Sequence, residues 1–272
     1  AIHVGMLVGA GTARAAVAGY ACEHMEEDQT AQVQSRLHTA LSDGALGISL
    51  GLGYAPECFY TTEELVEVLR PFAHGAIPVT VHMREEGDGV LDALEEMLRV
   101  AEALDVPVQI SHLKAMGKRN WDSKIPKALA MLENARERGL RVHCDAYPYT
   151  AGSTQRIHIL PHDFLVGGTD FDNIAGMVGW ENILCSTLRQ PENRPYQGLS
   201  IAEIAQRLGR DPFETAYDLL VSERCEITMI DFIAAESDII RILRDDNAAV
   251  ISDSTYPTEG QPHPRVYGTF AR

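Results

Sequence analysis

The chain has 272 residues, 45% of them hydrophobic and 23% charged, which excludes an intrinsically disordered protein and allows one large domain or two ordinary ones. Its 23 basic and 39 acidic residues give a net charge of −16, which argues against binding to nucleic acid or to an anionic membrane surface. We therefore expect no nucleic-acid partner and no membrane partner. The sequence also lacks the run of about 20 apolar residues that a transmembrane helix needs.

The cysteines and the chain ends bear on location and completeness. Five cysteines occur without a Cys-x-x-Cys pair, which favours reduced thiols over a disulfide framework. With no secretory signal visible, we expect a cytoplasmic protein. Because the sequence opens on the strand-like run AIHVGMLVG and stops at GTFAR, we also expect a fragment.

Short runs rich in valine and isoleucine alternate with amphipathic helical patterns along the chain. The predicted strands cover residues 2–8, 45–50, 78–82, 107–112, 140–147, 227–232 and 248–252. Each run is apolar on both faces, which is typical of strands buried in a parallel sheet. The alternation predicts an α/β protein, either a doubly wound sheet or a (β/α)₈ barrel.

Helix boundaries can be located from capping residues. Apolar positions spaced by three and four predict helices over residues 89–104 and 125–138, the second ended by Gly139. Threonines 61 and 62 precede acidic residues and are typical N-caps, and Ser200 followed by Glu203 forms a capping box. Residues 161–199 show little periodicity, so we expect a long irregular segment at a rim.

Several chemically active side chains come at the predicted strand ends. His82 in VTVHMREEGDG and His112 in VQISHLKAMGK follow two successive strands, and Asp253 in AAVISDS follows a third. Because active sites of parallel α/β proteins gather at the carboxyl ends of strands, these side chains are candidates for one site. Imidazole and carboxylate are common zinc ligands, and a bound metal polarises water and carbonyl groups.

These patterns leave alternatives open. A histidine at a strand end is often structural, Asp253 could cap a turn, and Met83 to Glu86 resemble an ordinary loop start. Arg265, in QPHPRVYGTF, could be held at a rim by the neighbouring prolines or could be a solvated surface residue. SLGLGY lacks the third glycine of a dinucleotide fingerprint, and the G-x-S-x-G motif of serine hydrolases does not occur.

Six blocks in fixed order carry a family resemblance: GALGISLGLGYAP, TVHMREEGDG, PVQISHLKAMGK, DAYPYTAGST, ISDS and HPRVYGTF. Over the whole chain they resemble the D-aminoacylase (N-acyl-D-amino-acid deacylase) branch of the amidohydrolase superfamily. The resemblance implies metal-dependent hydrolysis of the amide bond of N-acyl-D-amino acids. It also implies a (β/α)₈ barrel that carries a small β-sandwich and holds zinc at its mouth.

The resemblance assigns roles to individual residues. His82 and His112 are similar to the family's two metal-binding histidines on successive strands. Asp253 resembles the aspartate of the last strand, which binds metal and acts as general base.

The resemblance also implies a substrate-binding group. Tyr147 and Arg265 match positions that contact the substrate carboxylate, and Ser153 matches a further substrate contact. Lys114 lies where some members contact a substrate side chain. The expected partner is therefore a small-molecule substrate, and the sequence also allows a homo-oligomer.

The chain departs from the family pattern in its metal ligands. It contains no histidine-x-histidine pair, and none of its cysteines has the context of the family's metal-binding cysteine. We therefore expect residues 1–272 to form an incomplete barrel without the first strands and the β-sandwich. We also expect an incomplete zinc site and little activity of the fragment alone. The alternatives are a catalytically silent barrel fragment or a hydrolase of cyclic amides such as hydantoins.

Overall fold

The structure is a computed structural model that describes residues 3–155, 174–224, 227–254 and 262–271. The chain divides into two units. Unit 1 comprises Ala1–Leu113, Ser123–Ala146 and Ile242–Ala249. Unit 2 comprises Lys114–Asp122, Tyr147–Arg241 and Val250–Arg272.

The order of strands and helices follows the predicted alternation. The strands are β1 (Val8–Gly9), β2 (Ile48–Gly51), β3 (Val79–His82), β4 (Val108–Ile110), β5 (Val142–Ala146), β6 (Ala151–Gln155), β7 (Ile183–Thr187), β8 (Thr228–Phe232) and β9 (Ala248–Val250). The helices are α1 (Ala10–Ala18), α2 (Glu27–Ser42), α3 (Thr62–Leu69), α4 (Val90–Leu104), α5 (Lys124–Glu137), α6 (Ile174–Val178), α7 (Ile201–Leu208), α8 (Pro212–Ser222), α9 (Glu236–Leu243) and α10 (Arg265–Gly268).

Unit 1 contains a parallel sheet whose strands lie side by side in chain order. β1 to β5 pair in parallel, each with the next, and β9 follows β5 at the end of the sheet. At least one helix comes between each consecutive pair of these five strands. A doubly wound sheet reverses its strand order at a switch point, whereas a (β/α)₈ barrel keeps chain order. The prediction of an incomplete α/β barrel is therefore confirmed.

The register aligns equivalent positions of neighbouring strands into rows. One buried row consists of Ile48, Val79, Val108 and Val142. The adjacent row, which points to the other face of the sheet, consists of Ser49, Thr80, Gln109 and His143. These side chains are polar and incompletely buried. The expectation that both faces are apolar is therefore wrong, since only alternate positions carry buried apolar side chains.

The predicted helix ends are confirmed at three places. Thr61 caps α3, its hydroxyl accepting the Glu64 N–H while the Glu64 carboxylate accepts the Thr61 N–H at 2.8 Å. Ser200 caps α7 in the same way through Glu203. Gly139 follows the end of α5 with φ of 93°, a conformation that glycine adopts without steric cost.

Unit 2 contains a three-stranded antiparallel sheet in the order β6-β8-β7. β8 corresponds to the predicted strand at residues 227–232, which was expected in the parallel sheet, so that placement is wrong. Of the segment expected to be irregular, residues 161–173 lie outside the described residues. The rest includes α6 and β7, both missed because their glycines and polar residues hide the period. Among the residues described, no helix is long and apolar enough to cross a membrane.

A buried glutamate closes the loop that follows β2. Glu57 is 8% exposed and accepts the Gly51 N–H through Oε2 at 2.9 Å, while Oε1 has no hydrogen-bond partner. Burial raises the pKa of Glu57 to about 7, although the Arg14 charge opposes the shift. The folded protein therefore binds this proton more tightly than the unfolded chain does.

We predict that Glu57 makes the stability of the protein fall as pH rises. Its stabilising protonation is complete below the unfolded pKa near 4.5 and is lost as pH rises through the folded value of about 7. Glu57→Gln, which mimics the protonated side chain, should therefore become more stable than wild type above pH 7. Urea unfolding at pH 5 and pH 8 measures this, with exposed Glu27→Gln as the control. Equal pH dependence of Glu57→Gln and wild type would contradict the prediction.

Candidate metal site and substrate-binding group

The two histidines predicted at strand ends meet in unit 1. His82 ends β3 and points to the same face of the sheet as Thr80, two residues earlier. His112 follows β4, the neighbouring parallel strand. His82 Nδ1 lies 3.0 Å from His112 Nε2, and the ring centroids are 4.8 Å apart. Two strand ends at the same edge of a parallel sheet therefore bring the imidazoles together.

Glu86 adds a carboxylate to this pair. Its side chain is 7% exposed, and Oε1 lies 2.9 Å from His112 Nδ1 while Oε2 lies 3.9 Å from His82 Nε2. When the carboxylate accepts the Nδ1–H of a neutral His112, the Nε2 lone pair is directed towards His82. This carboxylate–histidine arrangement is the one that orients metal-binding histidines in proteins.

The donors fit a divalent metal. One atom from each of His82, Glu86 and His112 can be chosen so that all three lie within 4.8 Å of one another. Zn–N bonds of about 2.0–2.1 Å place two ligand nitrogens of a tetrahedral ion roughly 3.3 Å apart. The distance of 3.0 Å between His82 Nδ1 and His112 Nε2 is close to that value. Imidazole and carboxylate donors are the types that zinc takes in catalytic sites.

Asp145 fixes the backbone of His112. The carboxylate of Asp145, on β5, accepts the backbone N–H of His112 through Oδ1 and the Gln109 amide through Oδ2 at 2.7 Å. The Asp145 carbonyl accepts the Leu113 N–H at 2.8 Å. His112 has φ of 38°, a left-handed conformation that non-glycine residues adopt at an energetic cost. The contacts from β5 offset that cost and hold the imidazole in place.

The loop after β2 covers His82. The Tyr54 ring lies 4.4 Å from the His82 ring between centroids, and its hydroxyl is 3.5 Å from Nδ1. A Cβ at Gly53 would lie 3.0 Å from His82 Nε2, so a side chain there would crowd the imidazole. Glycine at position 53 therefore allows the backbone to pass close to the ring.

A second group of predicted residues meets in unit 2. Arg265 is 3% exposed, and its Nη1 donates to Asp253 Oδ2 at 2.7 Å while Nη2 donates to the Ser153 carbonyl at 3.0 Å. Its guanidinium lies 4.8 Å from the centre of the Tyr147 ring, a cation–π contact. The reading of Arg265 as a solvated surface residue is wrong, because the side chain is buried and paired. Asp253, like His112, has a positive φ, of 47°.

Lys114 is buried in unit 2. Its role as a substrate contact stays a prediction, as do the roles of Tyr147, Ser153 and Arg265 towards a substrate carboxylate. The roles of His82, His112 and Asp253 as metal ligands also stay predictions.

Glu86 and Asp145 are the residues whose contributions the sequence analysis missed. Glu86 was read as part of an ordinary loop, yet it follows the strand-end His82 by four residues. A spacing of four residues beyond the end of a strand does not show where the Glu86 side chain points, because a loop has no fixed period. Asp145 lies in the predicted strand at residues 140–147, and its contact with His112 depends on the pairing of β4 with β5.

Comparison with known proteins bears out the family resemblance. A scan against protein families finds no match. The D-aminoacylase of Alcaligenes xylosoxydans xylosoxydans is 36% identical over 275 residues, covering all of this chain and 51% of that protein. The N-acyl-D-glutamate deacylase of the same organism is 33% identical, over all of this chain and 50% of that protein. The chain is homologous to one half of a D-aminoacylase.

A solved structure agrees with this relationship. The N-acyl-D-glutamate deacylase of Bordetella bronchiseptica, in complex with zinc and a phosphonate inhibitor, superposes with a TM-score of 0.83 at 30% identity. The match covers all of this chain and 52% of that one. The chain thus spans about half the length of the deacylases that it resembles.

We predict that Glu86 strengthens metal binding through His112. Glu86→Ala should weaken zinc affinity about 10- to 100-fold, the usual effect of removing a partner that orients a ligand. Glu86→Gln should lose less, because its amide oxygen still accepts the His112 Nδ1–H. Chelator competition with the native full-length protein measures the affinities, and the exposed Glu85→Gln in the same loop is the control. Unchanged zinc affinity in Glu86→Ala would remove Glu86 from the site.

Proposed function

We propose that the protein to which this chain belongs is a metal-dependent hydrolase of N-acyl-D-amino acids, releasing a D-amino acid and a carboxylate. The observation that carries the proposal is the 3.0 Å approach of His82 and His112 beside the buried Glu86. Homology of the whole chain to a D-aminoacylase and to an N-acyl-D-glutamate deacylase supports the same reaction.

The metal is proposed to be zinc, held by His82 and His112 with Glu86 as a ligand or as the partner that orients His112. When bound, a divalent metal lowers the pKa of water and polarises the acyl carbonyl group. Asp253 is proposed as a further ligand, as the resemblance implies.

The protein's own residues would move the proton and hold the substrate. Asp253 accepts a proton from the attacking water as the new carbon–oxygen bond forms. It then gives that proton to the leaving nitrogen as the carbon–nitrogen bond breaks. Arg265 binds the substrate's α-carboxylate, for which a planar guanidinium is suited. Tyr147 and Ser153 contact the substrate beside Arg265, and Lys114 contacts the substrate's side chain.

The half-length match to the relatives favours a second proposal for the isolated chain. Residues 1–272 alone are proposed to be a barrel portion with weak metal or ligand binding and little hydrolysis, because the family's remaining ligands are not in this sequence. Stoichiometric zinc and full activity in the isolated chain would contradict this. A cytoplasmic location and a homo-oligomer stay predictions.

We predict that Asp253→Asn lowers kcat for N-acetyl-D-amino acids about 10²- to 10⁴-fold, the range that general acid–base groups contribute. Hydrolysis by the native full-length protein is measured on N-acetyl-D-amino acids, on their L-enantiomers and on a hydantoin. The exposed Asp246→Asn is the control for loss of one carboxylate. Full activity of Asp253→Asn would exclude the mechanism, and preference for the hydantoin would favour a cyclic-amide hydrolase.

We predict that Arg265→Lys raises KM for N-acyl-D-amino acids about tenfold, because lysine keeps the charge but loses the paired hydrogen bonds of the guanidinium. Steady-state kinetics of the native full-length protein measure this, with the exposed Arg207→Lys as the matched control. A change in kcat/KM of less than about twofold, roughly 0.5 kcal/mol or less, would exclude the carboxylate role.

A further inference from the structure

His263 is a buried histidine of unit 2 that the proposed mechanism does not use. Its Nδ1 lies 3.0 Å from the backbone nitrogen of Arg265, and its Nε2 lies 2.9 Å from the Ala151 carbonyl oxygen. A backbone N–H can only donate and a carbonyl can only accept. The imidazole must therefore be neutral, with its lone pair on Nδ1 and its hydrogen on Nε2.

The surroundings of His263 favour that neutral form. Burial lowers the pKa of His263 to about 4, and the Arg265 charge lowers it further, while the Ala151 carbonyl and the Asp253 carboxylate oppose the shift. The Tyr149 ring packs edge-on against the imidazole, at 5.4 Å between centroids. Protonation of Nδ1 would place its N–H against the backbone N–H of Arg265. The hydrogen bond from Arg265 and the lowered pKa therefore both favour the neutral imidazole.

Strand β6 holds both His263 and the Arg265 side chain. The Ala151 carbonyl accepts from His263, and two residues later the Ser153 carbonyl accepts from Arg265 Nη2. Carbonyl groups two residues apart on a strand point the same way. The imidazole therefore links the backbone of Arg265 to β6, and the same strand accepts a hydrogen bond from the Arg265 guanidinium.

Beside this arrangement lies a small pocket. It is lined by Ser153, Ser186, Thr228, Pro262, His263, Arg265 and Val266. Three of these residues carry hydroxyl groups, which can donate to an anion that the guanidinium attracts. The pocket thus brings hydroxyl-bearing residues of β6, β7 and β8 beside Arg265.

We propose that His263 is a positioning residue that aims the Arg265 guanidinium at the substrate's α-carboxylate. This inference rests on the proposed function, because it takes an N-acyl-D-amino acid as the ligand. His263 acts through the backbone of Arg265 and does not itself touch the substrate. Its loss should therefore impair recognition of the carboxylate and leave the hydrolytic step unchanged.

Three variants separate the two hydrogen bonds from the packing of the ring. His263→Asn keeps an acceptor near the Nδ1 position, and His263→Gln keeps a donor near the Nε2 position. His263→Phe keeps the ring and loses both hydrogen bonds. The exposed His38→Asn on α2 is the control for loss of an imidazole.

KM and kcat of the native full-length protein are compared for an N-acetyl-D-amino acid and for the matched N-acetylamine, which lacks the α-carboxylate. We expect His263→Phe to raise KM for the first substrate about tenfold with kcat unchanged, and to leave the second substrate unaffected. His263→Asn should have a KM close to that of wild type, because it keeps the acceptor for the Arg265 N–H. An equal change for both substrates, or no change in KM, would overturn the proposal.

Equilibrium binding keeps this inference separable from the proposed function. If the wild-type protein hydrolyses neither substrate, the proposed function fails, and calorimetric binding of the N-acetyl-D-amino acid then decides the role of His263. Binding that weakens about tenfold in His263→Phe and recovers in His263→Asn would support it, whereas absent or unchanged binding would overturn it. In ¹⁵N spectra of the imidazole we expect a neutral ring with hydrogen on Nε2 at pH 6, and a protonated ring would contradict the geometry.

Discussion

The parallel register of β3, β4 and β5 is the constraint on which the candidate metal site depends. It ends three neighbouring strands at one edge, so that His82, His112 and Asp145 follow one another across the sheet. The carboxylate of Asp145 then holds the strained backbone of His112, whose Nε2 faces His82. A slip of one residue in β4 would turn its side chains to the opposite face and separate the two imidazoles.

An ion pair between the buried Arg265 and the exposed Asp253 organises unit 2 in a comparable way. Removing a guanidinium from water is costly, and Arg265 offsets that cost with the Asp253 carboxylate, the Ser153 carbonyl and the Tyr147 ring. Losing one charged partner would leave the other without its counter-ion.

The fold could be predicted from local patterns to the extent that those patterns are periodic. The strands β2 to β5, the Thr61 and Ser200 caps and the end of α5 at Gly139 were predicted close to their positions. The first strand was predicted at residues 2–8, whereas β1 covers only Val8–Gly9. β8 was also recognised as a strand, but its antiparallel partners β6 and β7 were not. An apolar run shows that a strand is buried without showing which strands pair with it.

The sequence by itself determined the α/β class, the helix caps, the family relationship and the histidines at strand ends, because all of these depend on residues close together in the chain or on blocks in fixed order. Only the tertiary structure decided that Glu86 turns back to His112, that Asp145 holds its backbone and that Arg265 is buried against Asp253. Those contacts depend on the path of loops and on pairing between distant segments. Loops have no period from which a side chain's direction could be read, and a guanidinium such as that of Arg265 is buried only when distant segments of the chain pack around it.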